Sequence, residues 1–93
     1  MSGCEHLAEA PTEIGPGTSV VPDTTEGCED CLAENRHDWV HLRICLSCGH
    51  VACCDSSPQR HATAHFGATE HPVMRSFEPG ETWRWCFVDE RIG

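Results

Sequence analysis

The sequence predicts a small α+β domain in which short strands and one or two helices need reinforcement beyond their own core. The chain has 93 residues, and its 39% hydrophobic content includes 8 cysteines. A chain this short and this poor in aliphatic side chains needs covalent or metal cross-links to fold stably. We therefore expect one domain over residues 1–93, with a loop at 7–27 and a cross-linked core at 28–90.

Cysteines and histidines with metal-ligand spacing identify the cross-links. Two Cys-x-x-Cys pairs, a later cysteine and three histidines follow one another as Cys28, Cys31, Cys45, Cys48, Cys53, His61, His65 and His71. Two intervening residues let the backbone turn so that both thiolates of a pair bind one ion. The first two histidines are four residues apart and would share one face of a helix. These side chains are enough for two tetrahedral zinc sites.

Disulfides are the alternative cross-link in a short, cysteine-rich chain. The opening residues 1–6 contain no basic segment followed by an apolar run, so no signal peptide is visible. The sequence therefore indicates a cytoplasmic protein. In that compartment thiols stay reduced, and cysteines interspersed with histidines favour zinc over disulfides.

Charge and hydropathy argue against a nucleic-acid partner and a membrane partner. The net charge is −9, and the six basic residues are all arginine. Nucleic-acid binding requires a basic surface, so we expect no nucleic-acid partner. No apolar run approaches the roughly 20 residues of a membrane span, so we expect no membrane partner either.

The strands are predicted from alternation of apolar and polar residues. Residues 39–45 alternate and predict a half-buried strand, with Val40, Leu42 and Ile44 on one side. Residues 50–53 predict a short return strand, so that the second cysteine pair closes a hairpin. Residues 7–27 are rich in proline, glycine and threonine and show neither helical nor strand periodicity, which predicts a loop.

The second half of the chain predicts a helix and two more strands. Residues 56–66 predict the helix, with Ser57 as its cap, Pro58 at its first position and Gly67 at its end. Strands are predicted at 73–77 and 83–88. In the last strand, one face carries Trp83, Trp85 and Phe87, and the other carries Arg84, Cys86 and Val88.

The combined motif resembles the ubiquitin-specific-protease-type (UBP-type) zinc finger. It consists of an opening Cys-x-His, the two Cys-x-x-Cys pairs, a further Cys, His-x-x-x-His, a His-Pro and a late Trp-Cys-aromatic. The resemblance implies a small twisted antiparallel sheet flanked by helices and held by one to three zinc ions. It also implies a non-catalytic role, because this module binds the free C-terminal Gly-Gly of ubiquitin. We therefore expect the chain not to be an enzyme.

The resemblance also assigns the ligands. Site 1 would consist of Cys28, Cys31, Cys53 and His61, and site 2 of Cys45, Cys48, His65 and His71. Site 3 would use Cys4, His6, Cys86 and the residue at position 89, where the family has a cysteine and this chain has Asp89. A carboxylate can bind zinc, so Asp89 is either a fourth ligand or a solvated acid. We expect two zinc ions, and a third if Asp89 is a ligand.

A peptide-binding pocket is the last feature that the resemblance implies. Trp39, Trp85 and Phe87 match its aromatic positions, although core packing would explain these residues equally well. The family places an arginine two residues after Cys53, where it binds the terminal carboxylate of the ligand. Here that residue is Asp55, which would repel a carboxylate.

Two arginines outside that position, Arg43 and Arg84, could supply the missing cation. Without such a cation, we expect poor binding of the ubiquitin tail. The favoured function is still a protein-interaction module whose partner is a protein or peptide C-terminus.

Two other functions compete with this module. One is a purely structural or metal-buffering protein without a specific ligand. The other is an enzyme with a redox-active Cys-x-x-Cys or an open zinc position. Full ligand sets leave no open position, and no Ser/His/Asp or paired-carboxylate arrangement stands out, so the interaction module remains the favoured hypothesis.

Overall fold

The structure, a computed structural model, describes residues 5–11, 14–15, 17–18, 20–54, 60–78 and 80–93. It has three short helices: α1 (Glu5–Glu9), α2 (Glu29–Ala33) and α3 (His61–Thr69). The strands are β1 (Leu42–Cys45), β2 (Val51–Cys53), β3 (Val73–Ser76), β4 (Arg84–Cys86) and β5 (Arg91–Ile92). The predicted α+β class is confirmed. None of the described helices is long and apolar enough to cross a membrane.

The five strands form one antiparallel sheet in the order β2-β1-β3-β4-β5. The predicted hairpin is present, because β1 pairs with β2 with Ile44 opposite Val51. On its other side, β1 pairs with β3. Strand β3 also pairs with β4, and Met74 lies opposite Trp85 in that pair. Strand β2 forms one edge of the sheet, and the short strand β5 forms the other.

Two small cores cover the two faces of the sheet. On one face, Ile44, Val73 and Cys86 pack with Leu7 of α1 and with Val20. On the other face, Ala52 and Met74 pack with Ala62 of α3 and with the cysteines of α2 and neighbouring strands. Because many of the buried side chains on this second face are cysteines, its stability depends on what those thiols bind.

The strands are shorter than the alternation predicts. Strand β1 begins at Leu42 rather than at residue 39, and Val40 is 51% exposed. The Cys54 N–H donates to the His41 carbonyl oxygen at 2.9 Å, which extends the β1–β2 ladder by one step. Beyond this step the apolar side chain of Val40 projects into solvent. Strands were also predicted at 73–77 and 83–88, and the observed strands are shorter, at Val73–Ser76 and Arg84–Cys86.

Helix α3 ends later than predicted. It continues through Gly67 and ends at Thr69, and Gly67 faces open space. A glycine inside a helix lowers its stability by about 1 kcal/mol relative to alanine but does not have to end it. Glu70 ends the helix with a left-handed backbone (φ 61), and its N–H donates to the Phe66 carbonyl oxygen at 2.7 Å. The predicted cap residues 57 and 58 lie outside the described residues. Arg60 has a φ of 46, so α3 begins at His61.

Three elements were not predicted. Helix α1 overlaps the start of the predicted loop at 7–27, α2 contains the second cysteine of the first Cys-x-x-Cys pair, and β5 follows the last predicted strand. Each has five residues or fewer, which is too short to be stable by itself. These elements depend on tertiary contacts that a local sequence pattern does not show.

Candidate metal centres and ligand pocket

Site 1 is assembled from α2, β2 and α3. Cys28 precedes α2, Cys31 lies within it, Cys53 ends β2 and His61 begins α3. The three sulfur atoms lie 3.3, 3.3 and 3.5 Å from the Nδ1 atom of His61. The Sγ atoms of Cys31 and Cys53 are 3.9 Å apart. All three thiols are fully buried, so the donors face one another inside the protein.

These separations fit a tetrahedral zinc ion. With Zn–S near 2.3 Å and Zn–N near 2.0–2.1 Å, a tetrahedron separates sulfur from nitrogen by about 3.5 Å and two sulfurs by about 3.8 Å. Backbone N–H groups orient the sulfurs as well. The N–H of Cys31 donates to Cys28 Sγ at 3.4 Å, and the N–H of His61 donates to Cys53 Sγ at 3.2 Å. The donor set therefore matches zinc in both chemistry and spacing.

Site 2 joins the β1–β2 turn to the middle of α3 and to the segment between α3 and β3. Cys45 Sγ lies 3.4 Å from His71 Nδ1, and Cys48 Sγ lies 3.4 Å from His65 Nε2. The four ligand atoms all lie within 4.8 Å of one another. Gly49 closes the turn with a positive φ of 84, and its N–H donates to the Cys45 carbonyl oxygen at 2.8 Å. This group also fits a tetrahedral zinc ion.

Burial shifts the pKa of three of these ligands, Cys31, Cys45 and His65, toward the neutral form. It raises the pKa of Cys45 to about 11 and raises the pKa of Cys31 further, so both thiols are neutral near pH 7 without metal. Burial also lowers the pKa of His65, which favours the neutral imidazole that metals bind. A zinc ion would displace the thiol protons, which couples metal binding to proton release.

Site 3 has three donors among the described residues. Cys86 Sγ of β4 lies 3.6 Å from His6 Nδ1 of α1, and Asp89 Oδ2 lies 3.4 Å from the same nitrogen. The carboxylate of Asp89 is therefore beside the group, where the family's cysteine would be. Cys4, the fourth predicted donor, lies outside the described residues. A mixed set of thiolate, imidazole and carboxylate suits zinc, although it is a harder donor set than sites 1 and 2.

An apolar cavity of about 220 Å³ opens between α3 and the β4 side of the sheet. Trp85 and Phe87, two of the residues suggested for peptide binding, line this cavity together with Trp83. Trp39 packs elsewhere, against Gly27, where any added Cβ would collide with the indole ring. Asp55 lies outside the described residues.

Arg43 supplies the positive charge in this cavity. Its guanidinium lies 4.4 Å from the centre of the Trp83 ring and lines the cavity. Arg84 points to the other face of the sheet, where it donates to the carbonyl oxygens of Leu7 at 2.8 Å and Ala10 at 3.3 Å. Of the two arginines that the sequence suggested, Arg43 is the one that faces the pocket.

The comparisons with known proteins agree with this arrangement. Residues 28–91 match the family described as the Zn-finger in ubiquitin-hydrolases and other protein. The chain belongs to this family.

A protein from Rhodopseudomonas palustris, solved in solution by NMR, is 49% identical to this UBP-type zinc finger and superposes with a TM-score of 0.80. The match covers 99% of this chain and 81% of that chain. No match was found among curated proteins.

Sequence reasoning missed six of the nine residues that line this zinc finger's cavity, among them Trp83, Cys54 and Met74. Trp83 shares a strand face with Trp85 and Phe87, so the alternation would have indicated it. Cys54 and Met74 also line the cavity. Their positions depend on the register between β1, β2 and β3 and carry no local sequence signal.

Proposed function

We propose that this UBP-type zinc finger is a non-catalytic interaction module that binds the free carboxylate end of a peptide or protein. Two zinc ions at sites 1 and 2 hold the fold, and a third anchors α1 if Asp89 completes site 3. The observation that carries the proposal is the position of Arg43, a cation in an otherwise largely apolar and aromatic cavity.

The chemistry of the cavity supports a carboxylate ligand. A guanidinium can donate two parallel hydrogen bonds to one carboxylate, and such charge-assisted bonds strengthen where water is excluded. The ring of Trp83 holds the guanidinium in place through a cation–π contact. The other aromatic rings and Met74 would cover the last side chains of the peptide.

The ligand sets support the non-catalytic part of the proposal. Sites 1 and 2 each bring four protein donors together, and a zinc ion with four protein ligands keeps no position for an activated water. The proposal includes a cytoplasmic location, where the thiols stay reduced.

The ligand that we propose is a C-terminus other than the ubiquitin tail. Asp55 replaces the arginine that would bind the carboxylate of a Gly-Gly terminus in the family's manner. Arg43 of β1 supplies a cation in the cavity instead, so the carboxylate would bind beside Arg43. Peptides that end in Gly-Gly are therefore expected to bind weakly.

The test is a binding screen of the zinc-loaded domain against peptides with random C-termini, including ones that end in Gly-Gly. Each peptide that binds is compared with its C-terminally amidated form. Amidation should abolish binding, and Arg43→Gln should weaken it roughly tenfold to a hundredfold through loss of the charge-assisted bonds. Arg36→Gln is the matched control, because Arg36 is exposed and pairs with Glu34 at 3.1 Å.

Two outcomes would contradict the proposal. Equal binding of free and amidated peptides would show that the carboxylate is not recognised. The absence of any binder, together with rapid loss of zinc to a mild chelator, would favour the metal-buffering alternative. The observation that favours that second function is the solvent exposure of Cys48, one of the four donors of site 2.

A further inference from the structure

A fourth group of metal-binding side chains lies outside sites 1–3. It comprises Asp23 in the segment before α2, Glu29 at the start of α2 and His50 just before β2, and one ligand atom of each lies within 4.8 Å of the others. We propose that these three residues bind a divalent transition-metal ion and that Asp30 positions the ring of His50. This site is independent of the proposed function.

Two distances distinguish the metal-binding edge of His50 from its hydrogen-bonded edge. Its Nε2 lies 2.8 Å from Asp30 Oδ2, which is a hydrogen-bond length. Its Nδ1 lies 3.4 Å from Glu29 Oε1, which is longer than the usual N–H···O range of about 2.7–3.2 Å. Nitrogen and oxygen ligands of one ion, each about 2.0–2.2 Å from it, are separated by about 3.0–3.4 Å. The Nδ1–Oε1 distance therefore suits two ligands of a shared ion.

The protein also holds the far side of two of the three ligands, Glu29 and His50. Glu29 uses Oε2 to accept the N–H of Val51 at 2.9 Å, which leaves Oε1 facing His50. Asp30 holds the other nitrogen of the same imidazole. Metal-binding histidines and carboxylates are commonly oriented by such outer partners. Asp23 is brought to the group because its N–H donates to the Gly49 carbonyl oxygen at 3.0 Å.

The donors determine which ions the site accepts. One imidazole and two carboxylates suit Mn²⁺, Co²⁺ or Zn²⁺ and offer no thiolate, so the site should bind metal more weakly than sites 1 and 2. Asp23 is exposed and His50 and Glu29 are half-buried, which leaves room for water ligands. The net charge of −9 also favours a cation at this surface.

The competing interpretation is a charged imidazole held between two carboxylates. It explains the contacts of His50 with Glu29 and Asp30, but it gives Asp23 no role. A metal ion explains why all three ligand atoms converge. The two interpretations differ in whether substitution of Asp23 or Glu29 removes a metal.

The experiment uses the full chain, zinc-loaded and ¹⁵N-labelled, with Mn²⁺ as the probe. Mn²⁺ prefers oxygen and nitrogen donors, so it should leave the zinc at the thiolate sites in place. We expect substoichiometric Mn²⁺ to broaden the amide signals around residues 23, 29 and 50 selectively. For Glu29→Gln and for Asp23→Asn, the Mn²⁺ concentration that halves these amide signals should be at least about tenfold higher than for wild type. A loss of that size is typical when a residue of a metal site is removed.

Glu34→Gln is the matched control. It removes the same charge at the end of α2 from a half-exposed side chain outside the group, and the Mn²⁺ requirement should stay within about twofold because exposed charges are screened. Glutamine at 29 can still accept the Val51 N–H, so the fold should be retained, and the amide spectrum checks this. Equal effects of Glu29→Gln and Glu34→Gln, broadening spread over all acidic segments, or an unchanged Asp23→Asn would overturn the proposal.

Discussion

At the scale of single residues, Glu81 shows how a buried hydroxyl controls a surface acid. Ser76 is fully buried, and its hydroxyl donates to Glu81 Oε1 at 2.5 Å. This hydrogen bond lowers the pKa of Glu81 below its usual value of 4.5. Because the pKa is lower in the folded state, the ionised carboxylate stabilises the fold above pH 4.5, and this contribution is lost as the pH falls through the folded value.

Replacement of Glu81 should therefore have a pH-dependent effect. We expect Glu81→Gln to reduce the free energy of unfolding near pH 7, with a deficit that shrinks as the pH falls below 4.5. Denaturant unfolding of both zinc-loaded proteins at a series of pH values measures the difference, and zinc release in acid is common to both. Ser76→Ala should show the same pH dependence in addition to a pH-independent loss of stability, because the Ser76 hydroxyl also accepts the Glu78 N–H at 3.3 Å. A difference that does not vary with pH would contradict this account.

The sequence predicts the metal ligands better than the pocket residues. The Cys-x-x-Cys pairs and the His-x-x-x-His spacing are local, and each predicted ligand within the described residues lies in its assigned group. Whether Arg43 or Arg84 faces the cavity depends on the face of the sheet on which each side chain lies. That face follows from the strand register. The group at Asp23, Glu29 and His50 was not predicted, because no local spacing joins these residues.

At the scale of elements, Gly→Ala substitutions in α3 and in the β1–β2 turn should change the free energy of unfolding in opposite directions. Gly67 lies inside the helix with open space around its missing Cβ. Gly67→Ala should therefore raise the free energy of unfolding by about 0.5–1 kcal/mol. Gly49 has a φ of 84, and a Cβ there would meet the Val21 carbonyl oxygen. Gly49→Ala should lower stability by more than about 1 kcal/mol.

Chemical denaturation of the two zinc-loaded variants measures this pair. Each is the control for the other, because the chemical change is the same and only the backbone setting differs. Equal effects of the two substitutions would show that neither the helical position of Gly67 nor the turn at Gly49 is as described.

Site 3 is expected to attach α1 to the β4–β5 turn. If Asp89 is a ligand, Asp89→Asn should reduce the zinc content by one ion per chain and leave sites 1 and 2 filled. The amide signals of residues 5–11 should then sharpen as α1 detaches, because α1 has five residues and is not stable alone. Native mass spectrometry counts the zinc. Equal counts in wild type and variant would mean that Asp89 is a solvated acid.

The short elements explain why the fold was predicted only in outline. The sequence pattern indicated strands β1 to β4 near their correct places, because each covers a core. Helices α1 and α2 and strand β5 are held by ligands, by caps such as the Cys28 sulfur and by Arg84 contacts. Such tertiary stabilisation has no periodic signature in the sequence.

At the scale of the whole molecule, helix α3 links the two principal metal sites. His61 belongs to site 1 and His65 to site 2, one helical turn apart. The first site also ties α2 to β2, and the second ties the β1–β2 turn to the start of β3. A small core of this kind gains much of its folding free energy from metal binding, so the zinc ions and the sheet should be lost together.

The most direct test of this account measures zinc content and folding in the same sample. The chain is purified under reducing conditions, its zinc is counted by elemental analysis, and its amide spectrum is recorded before and after a strong chelator. We expect at least two zinc ions per chain, as sites 1 and 2 require, free thiols, and a dispersed spectrum that collapses when the zinc is removed. A metal-free chain that stays folded through disulfides would contradict the account.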